Sequence, residues 1–157
     1  MIKKTEEMCT LTYCVTAPAQ RKFVSKPWGW EDWLFNDKEA NYCHKKLFIK
    51  GGRRGSIHMH PTKDEVLTCH SGQLFVEVMS AEPPPTNNSN LNALVAIQLI
   101  PVRAECSIRI KPGTWHRLVA QYDTLIYEAS TYHDDNDVVR KDHWRSVLDK
   151  ANSDEGL

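Results

Sequence analysis

The sequence lacks a net charge. Its 157 residues include 20 Lys and Arg residues and 20 Asp and Glu residues, so the formal charge is zero when histidine is neutral. A general binder of nucleic acid or of anionic membranes normally carries a basic excess, and we expect neither partner here. Near-zero charge gives little electrostatic protection against self-association, which is compatible with a homodimer formed through an N-terminal arm or an edge strand.

Long apolar runs are also missing. No segment approaches the roughly 20 consecutive apolar residues that a membrane-spanning helix needs. The first residues, MIKKTEEMCTLTYC, have no apolar core of the kind found in signal peptides. We therefore expect a cytoplasmic protein.

Paired cysteines are absent as well. The five cysteines are an odd number without a CxxC pair, which argues against a disulfide framework and against a zinc ribbon. Cytosolic cysteines of this kind are expected to be reduced, and those within apolar strand patterns behave as small hydrophobic residues. The five are Cys9, Cys14, Cys43, Cys69 and Cys106.

What the sequence does contain, from residue 42 onward, is a series of short segments with alternating polarity, separated by turn residues. Eight to ten such strands predict an all-β jelly-roll barrel. Ser71-Gly72 predicts a tight hairpin, and the proline-rich stretch 80–92 predicts a loop or a long hairpin tip. The predicted strands are Tyr42–Lys50, Ser56–His60, Glu65–His70, Gln73–Met79, Ala93–Val102, Cys106–Ile110, Trp115–Ala120 and Thr124–Ala129.

The two ends of the chain differ from this pattern. Residues 1–25 lack periodicity and are predicted to be an arm with a short strand at Cys9–Val15. Asp134 to Asp137 offer helix N-caps, and an apolar stripe follows, which predicts a short C-terminal helix. The expected organisation is an arm (1–25), a barrel (26–134) and a helix with a tail (135–157).

One stretch combines residues that suit a metal ion. His58 and His60 are two apart and project from the same face of a strand. Glu65 follows, and His116 in KPGTWH offers a fourth ligand. Neutral imidazole and carboxylate oxygen suit a divalent first-row metal, which leaves zinc, manganese, iron(II), nickel and cobalt open. By the same alternation His70 lies on the opposite face from Glu65 and is predicted to be exterior.

These residues resemble the first motif of the cupin superfamily. Gly52, His58, His60, Glu65 and Gly72 stand at its defined positions, and KPGTWH resembles the second motif. The sequence departs from that second motif in turn and packing positions rather than in ligands, at Glu105, Lys111 and Ala120. The resemblance implies a double-stranded β-helix with one divalent metal held by His58, His60, Glu65 and His116.

The segments that flank the barrel narrow the resemblance. KPWGWEDW and EASTYHDDNDVVR are similar to the cupin domain of type II mannose-6-phosphate isomerases. This similarity implies an aldose–ketose isomerase acting on a sugar or sugar phosphate, with the metal stabilising an enediolate. Glu128 is then the candidate base, although alternation alone leaves open whether it faces the interior, faces solvent or pairs with Arg117.

A phosphosugar would need basic groups near the mouth of the barrel. Arg117 ranks first among the candidates because it adjoins His116 and because arginine grips phosphate in a forked geometry. The tryptophans of WGWEDW form either a sugar-stacking platform or part of the core. The basic candidates are Arg117, Lys63, Lys46 and Arg140.

Two other functions remain open at this point. An iron(II) oxygenase would use the same ligands with oxygen in an open position. A non-catalytic module would bind a sugar or a metal without turnover. Metal identity, oxygen uptake and proton exchange into the sugar distinguish the three.

Overall fold

The computed structural model describes residues 21–80 and 97–140 in full, together with the backbone of two short strands near the N-terminus. None of these residues forms a helix that is long and apolar enough to cross a membrane. The strands are β1 (Met8–Cys9), β2 (Cys14–Val15), β3 (Lys22–Lys26), β4 (Gly29–Asp37), β5 (Tyr42–Ile49), β6 (Arg53–Arg54), β7 (His58–Met59), β8 (Glu65–Ser71), β9 (Gln73–Met79), β10 (Ile97–Arg103), β11 (Ser107–Ile110), β12 (His116–Ala120), β13 (Thr124–Ser130) and β14 (Val139–Arg140).

Two antiparallel sheets form the body of the protein. The first has the order β11-β8-β13-β5-β4-β3, and the second has the order β10-β9-β12-β7-β14 with β6 paired to β12. β1 and β2 pair with each other in a separate two-stranded sheet. The architecture confirms the predicted all-β jelly roll.

The interior is apolar at one end and charged at the other. On β5, β8 and β13 every second side chain is buried, as the sequence alternation predicts. The apolar end holds the main core, in which each fully buried aliphatic side chain contributes about 1.5–3 kcal/mol. Members of this core are Leu47, Ile49, Leu67, Cys69, Leu74, Val76, Val102, Ile110, Ala120 and Ile126.

Register explains why the charged side chains meet. Glu128 on β13 is the cross-strand partner of Lys45 on β5 and of Leu67 on β8, and Ser130 is the partner of Glu65. The buried positions of three neighbouring strands therefore change from apolar to charged within one cross-strand step of each other. Lys45, Glu65 and Glu128 line the cavity described below.

The ends of the barrel differ from the prediction. β3 (Lys22–Lys26), all but its last residue assigned to the arm, is an edge strand paired with β4. Asp135–Arg140, assigned to the helix, forms a turn followed by β14, which pairs with β7. The rest of the predicted helix, 141–157, lies outside the described residues. β9 and β10 form an antiparallel pair. The predicted loop from residue 81 to 92, and the first four residues of the strand predicted at Ala93–Val102, lie outside the described residues.

The predicted hairpin at Ser71-Gly72 is wrong. β8 and β9 follow one another through Gly72 but belong to different sheets. The chain turns a corner between the two layers there, with Gly72 at φ 85°. A Cβ on Gly72 would lie 2.4 Å from the backbone oxygen of Asp123 and 2.6 Å from Oγ1 of Thr124. Only glycine fits this corner.

Replacing Gly72 with alanine should therefore destabilise the fold more than the same change at Gly113. Gly113 also has positive φ, 79°, but nothing lies within 4 Å of its missing Cβ. We expect Gly113→Ala to cost about 1 kcal/mol for the backbone conformation alone. Gly72→Ala adds a backbone clash and should cost at least about 2–3 kcal/mol. Urea unfolding of both variants measures the difference, and equal losses would contradict this account.

Candidate metal centre and catalytic cavity

Three histidines meet at the charged end of the barrel. His58 on β7 is the cross-strand partner of His116 on β12, and their ring centroids are 4.4 Å apart. The ring of His60 lies 5.1 Å from that of His58 and 6.4 Å from that of His116. Oε1 of Glu65 is 3.1 Å from Nε2 of His116. The structure thus brings together the four residues selected from the sequence.

Each of the three imidazole rings is fixed by a backbone carbonyl. A ring nitrogen that faces a carbonyl oxygen must carry the hydrogen, so in each ring Nδ1 donates, and the ring presents a lone pair at Nε2 whenever it is neutral. Histidine ligands of metal ions are commonly oriented in this way. The contacts are His58 Nδ1 to Ser56 O at 2.9 Å, His116 Nδ1 to Thr114 O at 2.9 Å, and His60 Nδ1 to Asp137 O.

The acidic stretch expected to start a helix instead supports this site. The carboxylate of Asp137 accepts hydrogen bonds from the backbone N–H groups of Thr62 (3.1 Å) and Lys63 (3.0 Å). Its carbonyl oxygen accepts the Nδ1–H of His60. Asp137 therefore fastens the loop between β7 and β8, and its capping groups serve that loop rather than a helix.

These side chains fit a divalent metal in chemistry. Two ligand atoms each about 2.1 Å from a cation and at right angles to each other lie about 3 Å apart. The 3.1 Å between Nε2 of His116 and Oε1 of Glu65 matches that separation. No group of three His, Cys, Asp or Glu side chains within 21–80 and 97–140 is arranged tightly enough to hold a metal ion as it stands.

Burial keeps two of these imidazoles neutral. It lowers the pKa of His58 well below its usual value, and the neighbouring His116 adds to the effect. It also lowers the pKa of His60, together with the charge of Lys63. Neutral imidazole is the form that binds a metal, so both rings are ready ligands near neutral pH.

A buried lysine lies between Glu65 of the candidate metal centre and Glu128. Nζ of Lys63 lies 3.0 Å from Oε2 of Glu65 and also contacts Oε1 of Glu128. Oγ of Ser130 donates to the same oxygen of Glu128 at 2.9 Å. All three charged side chains are at most 4% exposed. Glu128 thus faces the interior, on the same face as Thr124 and Ile126.

The charges of this cluster stabilise one another. Burial would raise the pKa of Glu128, but Lys63 and Lys45 hold it below its usual value. Burial would likewise raise the pKa of Glu65, but His116 and Lys63 hold it far below that value. The two carboxylates in turn raise the pKa of Lys63 against the effect of burial. Near neutral pH the cluster is one ammonium between two carboxylates.

A second charged group was missed from the sequence. Lys45 is 2% exposed. Its Nζ lies 3.7 Å from Oε2 of Glu31 and 4.0 Å from the ring centre of Trp33. Nε1 of Trp33 donates to the same Glu31 oxygen at 3.0 Å. The sequence does indicate this position: Lys45 lies two residues from both Cys43 and Leu47, which are buried, so it shares their inward face.

The two charged groups line one cavity of about 490 Å³, a volume typical of small-molecule sites. Trp33 does not offer it an open stacking face, because Lys22 and Lys45 from the two neighbouring strands both lie 4.0 Å from its ring centre. Trp28 packs against the core. The charged residues of the lining are Lys22, Lys26, Glu31, Lys45, Lys63, Glu65, Glu128, Asp135 and Arg140.

Two of the four basic residues proposed for substrate lie elsewhere. Arg117 does not line the cavity; it is buried and pairs with Glu77 of the neighbouring strand. Lys46 faces outward toward the ring of Tyr127. Both adjoin a residue that points inward, and alternation puts them on the opposite face. Lys63 and Arg140 do line the cavity, and His70 is exposed as predicted.

His133 is a further cavity residue that the sequence left ambiguous. Its ring packs edge-on against Trp33, with centroids 4.6 Å apart, and lies 6.3 Å from that of His60. Nε2 is 3.2 Å from Oδ1 of Asp135. It follows β13 in an irregular segment, where no alternation indicates which way a side chain points.

Acidification should destabilise the fold, because His133 resists protonation when it is folded. Burial, followed by the charges of Lys45 and Lys63, lowers the pKa of His133 to about 4. The unfolded chain takes up this proton near pH 6.5, so stability present above that pH is lost as the pH falls from about 6.5 towards 4. We expect a lower urea midpoint at about pH 5 than at about pH 7.5.

The variant His133→Asn should show a smaller fall in urea midpoint between about pH 7.5 and about pH 5 than the parent protein. His70→Asn, which alters an exposed histidine, should show the same fall as the parent. His58 and His60 act in the same direction, so part of the decrease remains in both variants. The measurement is made on metal-free protein. An equal pH dependence in His133→Asn and the parent protein would contradict the assignment.

Comparison with known proteins bears on both fold and family. No curated protein matches the chain. Among solved structures, CapF from Staphylococcus aureus, a capsular polysaccharide assembling protein, superposes with a TM-score of 0.58 at 16% identity over 76% of this chain and 34% of CapF. KdgF from Halomonas sp. gives 0.57 at 13% over 76% of this chain and 94% of KdgF.

An RmlC-like cupin from Shewanella frigidimarina superposes with a TM-score of 0.55 at 15% identity, over 77% of this chain and 92% of that one. This chain spans about a third of CapF and most of the other two. At these identities the likeness concerns the fold, which is that of the cupins. A sequence model described as D-lyxose isomerase matches residues 34–147, well over half of the chain. The protein therefore belongs to the D-lyxose isomerase family, a family of cupin-type sugar isomerases.

Proposed function

We propose that this protein is a divalent-metal-dependent aldose–ketose isomerase that acts on D-lyxose or a closely related aldose. The observation that carries the proposal is the adjacency of two groups in one cavity. Three imidazoles that present Nε2, together with Glu65, stand beside the buried Lys63–Glu128 pair. The first group suits a cation and the second suits proton transfer. The match to the D-lyxose isomerase family supports the same reaction.

His58, His60, Glu65 and His116 would hold the metal ion. A divalent cation there polarises a carbonyl oxygen and stabilises negative charge on the oxygens of the substrate. Glu65 would serve this site with one oxygen near His116 while its other oxygen stays with Lys63. The ligand group and the proton-transfer group would therefore share one carboxylate, which ties their positions together.

Glu128 would move the proton between carbons. In the open-chain aldose, the carboxylate of Glu128 takes the proton from C2, the electron pair forms the C1–C2 double bond of an enediol, and O1 gains a proton. Glu128 then returns its proton to C1 while O2 loses one. Lys63, beside Glu128, supplies the proton to O1 and recovers one from O2. Protons and electrons balance without an oxidant or reductant.

An uncharged aldose fits the cavity better than a phosphosugar. Most cationic groups of the lining already face a carboxylate: Lys22 faces Asp135 at 3.3 Å, and Lys26 faces Glu31 at 3.1 Å. Among the described cationic residues of the lining, Arg140, whose Nη1 donates to Oγ of Ser56 at 3.0 Å, is the one with no carboxylate partner among the described residues, and it could meet an anion. A phosphate would have to displace these pairs, so we expect a preference for the free sugar.

The test combines metal analysis with a substrate panel. Purified protein is loaded with manganese, iron(II), cobalt, nickel or zinc and assayed with free aldoses and their phosphates. We expect about one metal ion per chain and conversion of D-lyxose to its 2-ketose without oxygen uptake. Oxygen consumption would support an iron(II) oxygenase instead. Tight metal binding without turnover on any aldose would support a non-catalytic module.

Replacing His116 with alanine should remove both metal and activity. The change deletes one ligand nitrogen and leaves Glu65 without its neighbour at 3.1 Å. We expect metal affinity to fall by at least about 100-fold and isomerisation to become undetectable. His70→Ala, which removes an exposed histidine, is the matched control and should change neither quantity. A His116→Ala protein that retains a full metal load would overturn the assignment of this ligand.

A further inference from the structure

Among the described residues that line the cavity, one buried side-chain nitrogen lacks a hydrogen-bond partner. Nδ1 of His133 is buried and accepts no hydrogen bond from any residue that the structure describes. Buried polar atoms are nearly always hydrogen-bonded, and an exception calls for an explanation. His133 is part of the cavity lining, so a ligand within the cavity can reach this ring.

The hydrogen-bonding character of Nδ1 follows from its neighbours. Nε2 of the same ring lies 3.2 Å from a carboxylate oxygen of Asp135, and a carboxylate only accepts hydrogen bonds. Nε2 therefore carries the hydrogen and Nδ1 presents a lone pair. The unpaired atom is an acceptor and needs an O–H or N–H donor. Phosphate and carboxylate oxygens do not provide one.

The ring is held in place rather than loose. The backbone N–H of His133 donates to Oδ1 of Asn36 at 2.9 Å, and Nδ2 of Asn36 donates back to the carbonyl oxygen of His133 at 3.0 Å. Trp33 packs against the ring from the side. The ring is thus held by its backbone and by Trp33, and because Nδ1 itself is buried, a donor reaches it through a small shift of the ring or of the adjoining cavity wall.

We propose that Nδ1 of His133 accepts a hydrogen bond from a hydroxyl group of the substrate away from its carbonyl end, which makes His133 a specificity-determining residue. The inference rests on the proposed function in that the ligand is an open-chain sugar. With the carbonyl end near His60, the sugar chain extends over the 6.3 Å that separates the His60 and His133 rings. A few carbon atoms cover that distance. Asp135, which fixes the tautomer, acts as a positioning residue.

Two substitutions test whether binding needs an acceptor at the position of Nδ1 or only a polar side chain at residue 133. Asparagine places a carboxamide oxygen near the position of Nδ1, whereas glutamine places it near Nε2, so His133→Asn retains the acceptor and His133→Gln does not. We expect His133→Gln to raise KM for D-lyxose about three- to tenfold with kcat nearly unchanged. His133→Asn should stay close to the parent protein.

Deoxy analogues of D-lyxose identify the hydroxyl group. In the parent protein, removal of the hydroxyl that meets His133 should raise KM by the same factor, since a site built for a hydroxyl discriminates against the analogue without it. In His133→Gln that analogue should suffer no additional loss. An equal loss for every deoxy sugar in the parent and in His133→Gln would overturn the inference.

A binding measurement separates this inference from the isomerase proposal. D-Arabinitol, the alditol of D-lyxose, has no carbonyl to isomerise, and its Kd is measured by calorimetry on metal-loaded protein. Weaker binding in His133→Gln but not in His133→Asn supports the inference even if no aldose is turned over. Isomerisation with an unchanged Kd in His133→Gln overturns it and leaves the isomerase standing. Absence of D-arabinitol binding in the parent protein also overturns it.

Discussion

Replacing Glu128 with glutamine should lower kcat for D-lyxose by about 10²–10⁴-fold, the usual contribution of a positioned general base. Glutamine has nearly the shape of glutamate and can still meet Lys63 and Ser130, but it cannot accept the proton from C2. The proposed metal ligands remain in place, so metal content should be unchanged. The checks are kcat from the rate of ketose formation and metal content by elemental analysis of the same sample.

Glu77→Gln is the matched control. Glu77 is also a carboxylate paired with a buried cation, Arg117, but it does not line the cavity. Its replacement should leave kcat within about twofold of the parent value, since no group that contacts substrate changes. A Glu128→Gln protein with the kcat of the Glu77→Gln protein would remove Glu128 from the mechanism.

Replacing Lys63 with methionine should destabilise metal-free protein by about 3–5 kcal/mol, the usual result of removing one partner from a buried ion pair. Lys63 lies between Glu65 and Glu128, all three at most 4% exposed. Without the ammonium group, two buried carboxylates are left without the cation between them. Urea unfolding in the presence of a chelator measures the change in the free energy of unfolding. Activity should be lost in parallel, because the proton donor is gone.

The control for this experiment is Arg109→Met. Arg109 forms an ion pair with Asp64, but both side chains are solvent-accessible, and such pairs contribute little to stability. Its loss should be small beside that of Lys63→Met. Equal stability of the two variants would show that the Lys63 cluster is solvated rather than buried. The proposal that Lys63 and Glu128 transfer protons as a buried pair would then be wrong.

Alternation along strands predicted much of this site from sequence. Glu65, Leu67 and Cys69 share a face on β8, and the structure buries all three. The buried face of β13 likewise contains Glu128. A period of two residues is a local property, so the sequence alone carries it. The same rule excludes Arg117 and Lys46 from the cavity. Arg117 is ranked first as a substrate-binding residue only because it adjoins His116 in sequence, and alternation along the strand argues against that ranking.

The sequence could not predict the features that depend on which of the two sheets a strand joins. Ser71-Gly72 has the composition of a hairpin turn, yet β8 and β9 lie in different sheets. Turn residues specify a change of direction and say nothing about the next pairing partner. Asp137 poses the same problem: its carboxylate caps backbone N–H groups of the loop after β7 rather than its own helix, a contact across 75 and 74 residues of sequence.

Proton exchange during turnover tests the central claim most directly. Protein loaded with the metal that it binds is incubated with D-lyxose in deuterated water, and the sugar is followed by NMR. The account predicts that the 2-ketose appears, that deuterium enters C1 of the ketose and C2 of the recovered aldose, and that Glu128→Gln slows ketose formation and labelling by about 10²–10⁴-fold. D-Lyxose that remains unchanged and unlabelled with folded, fully metal-loaded parent protein would contradict it.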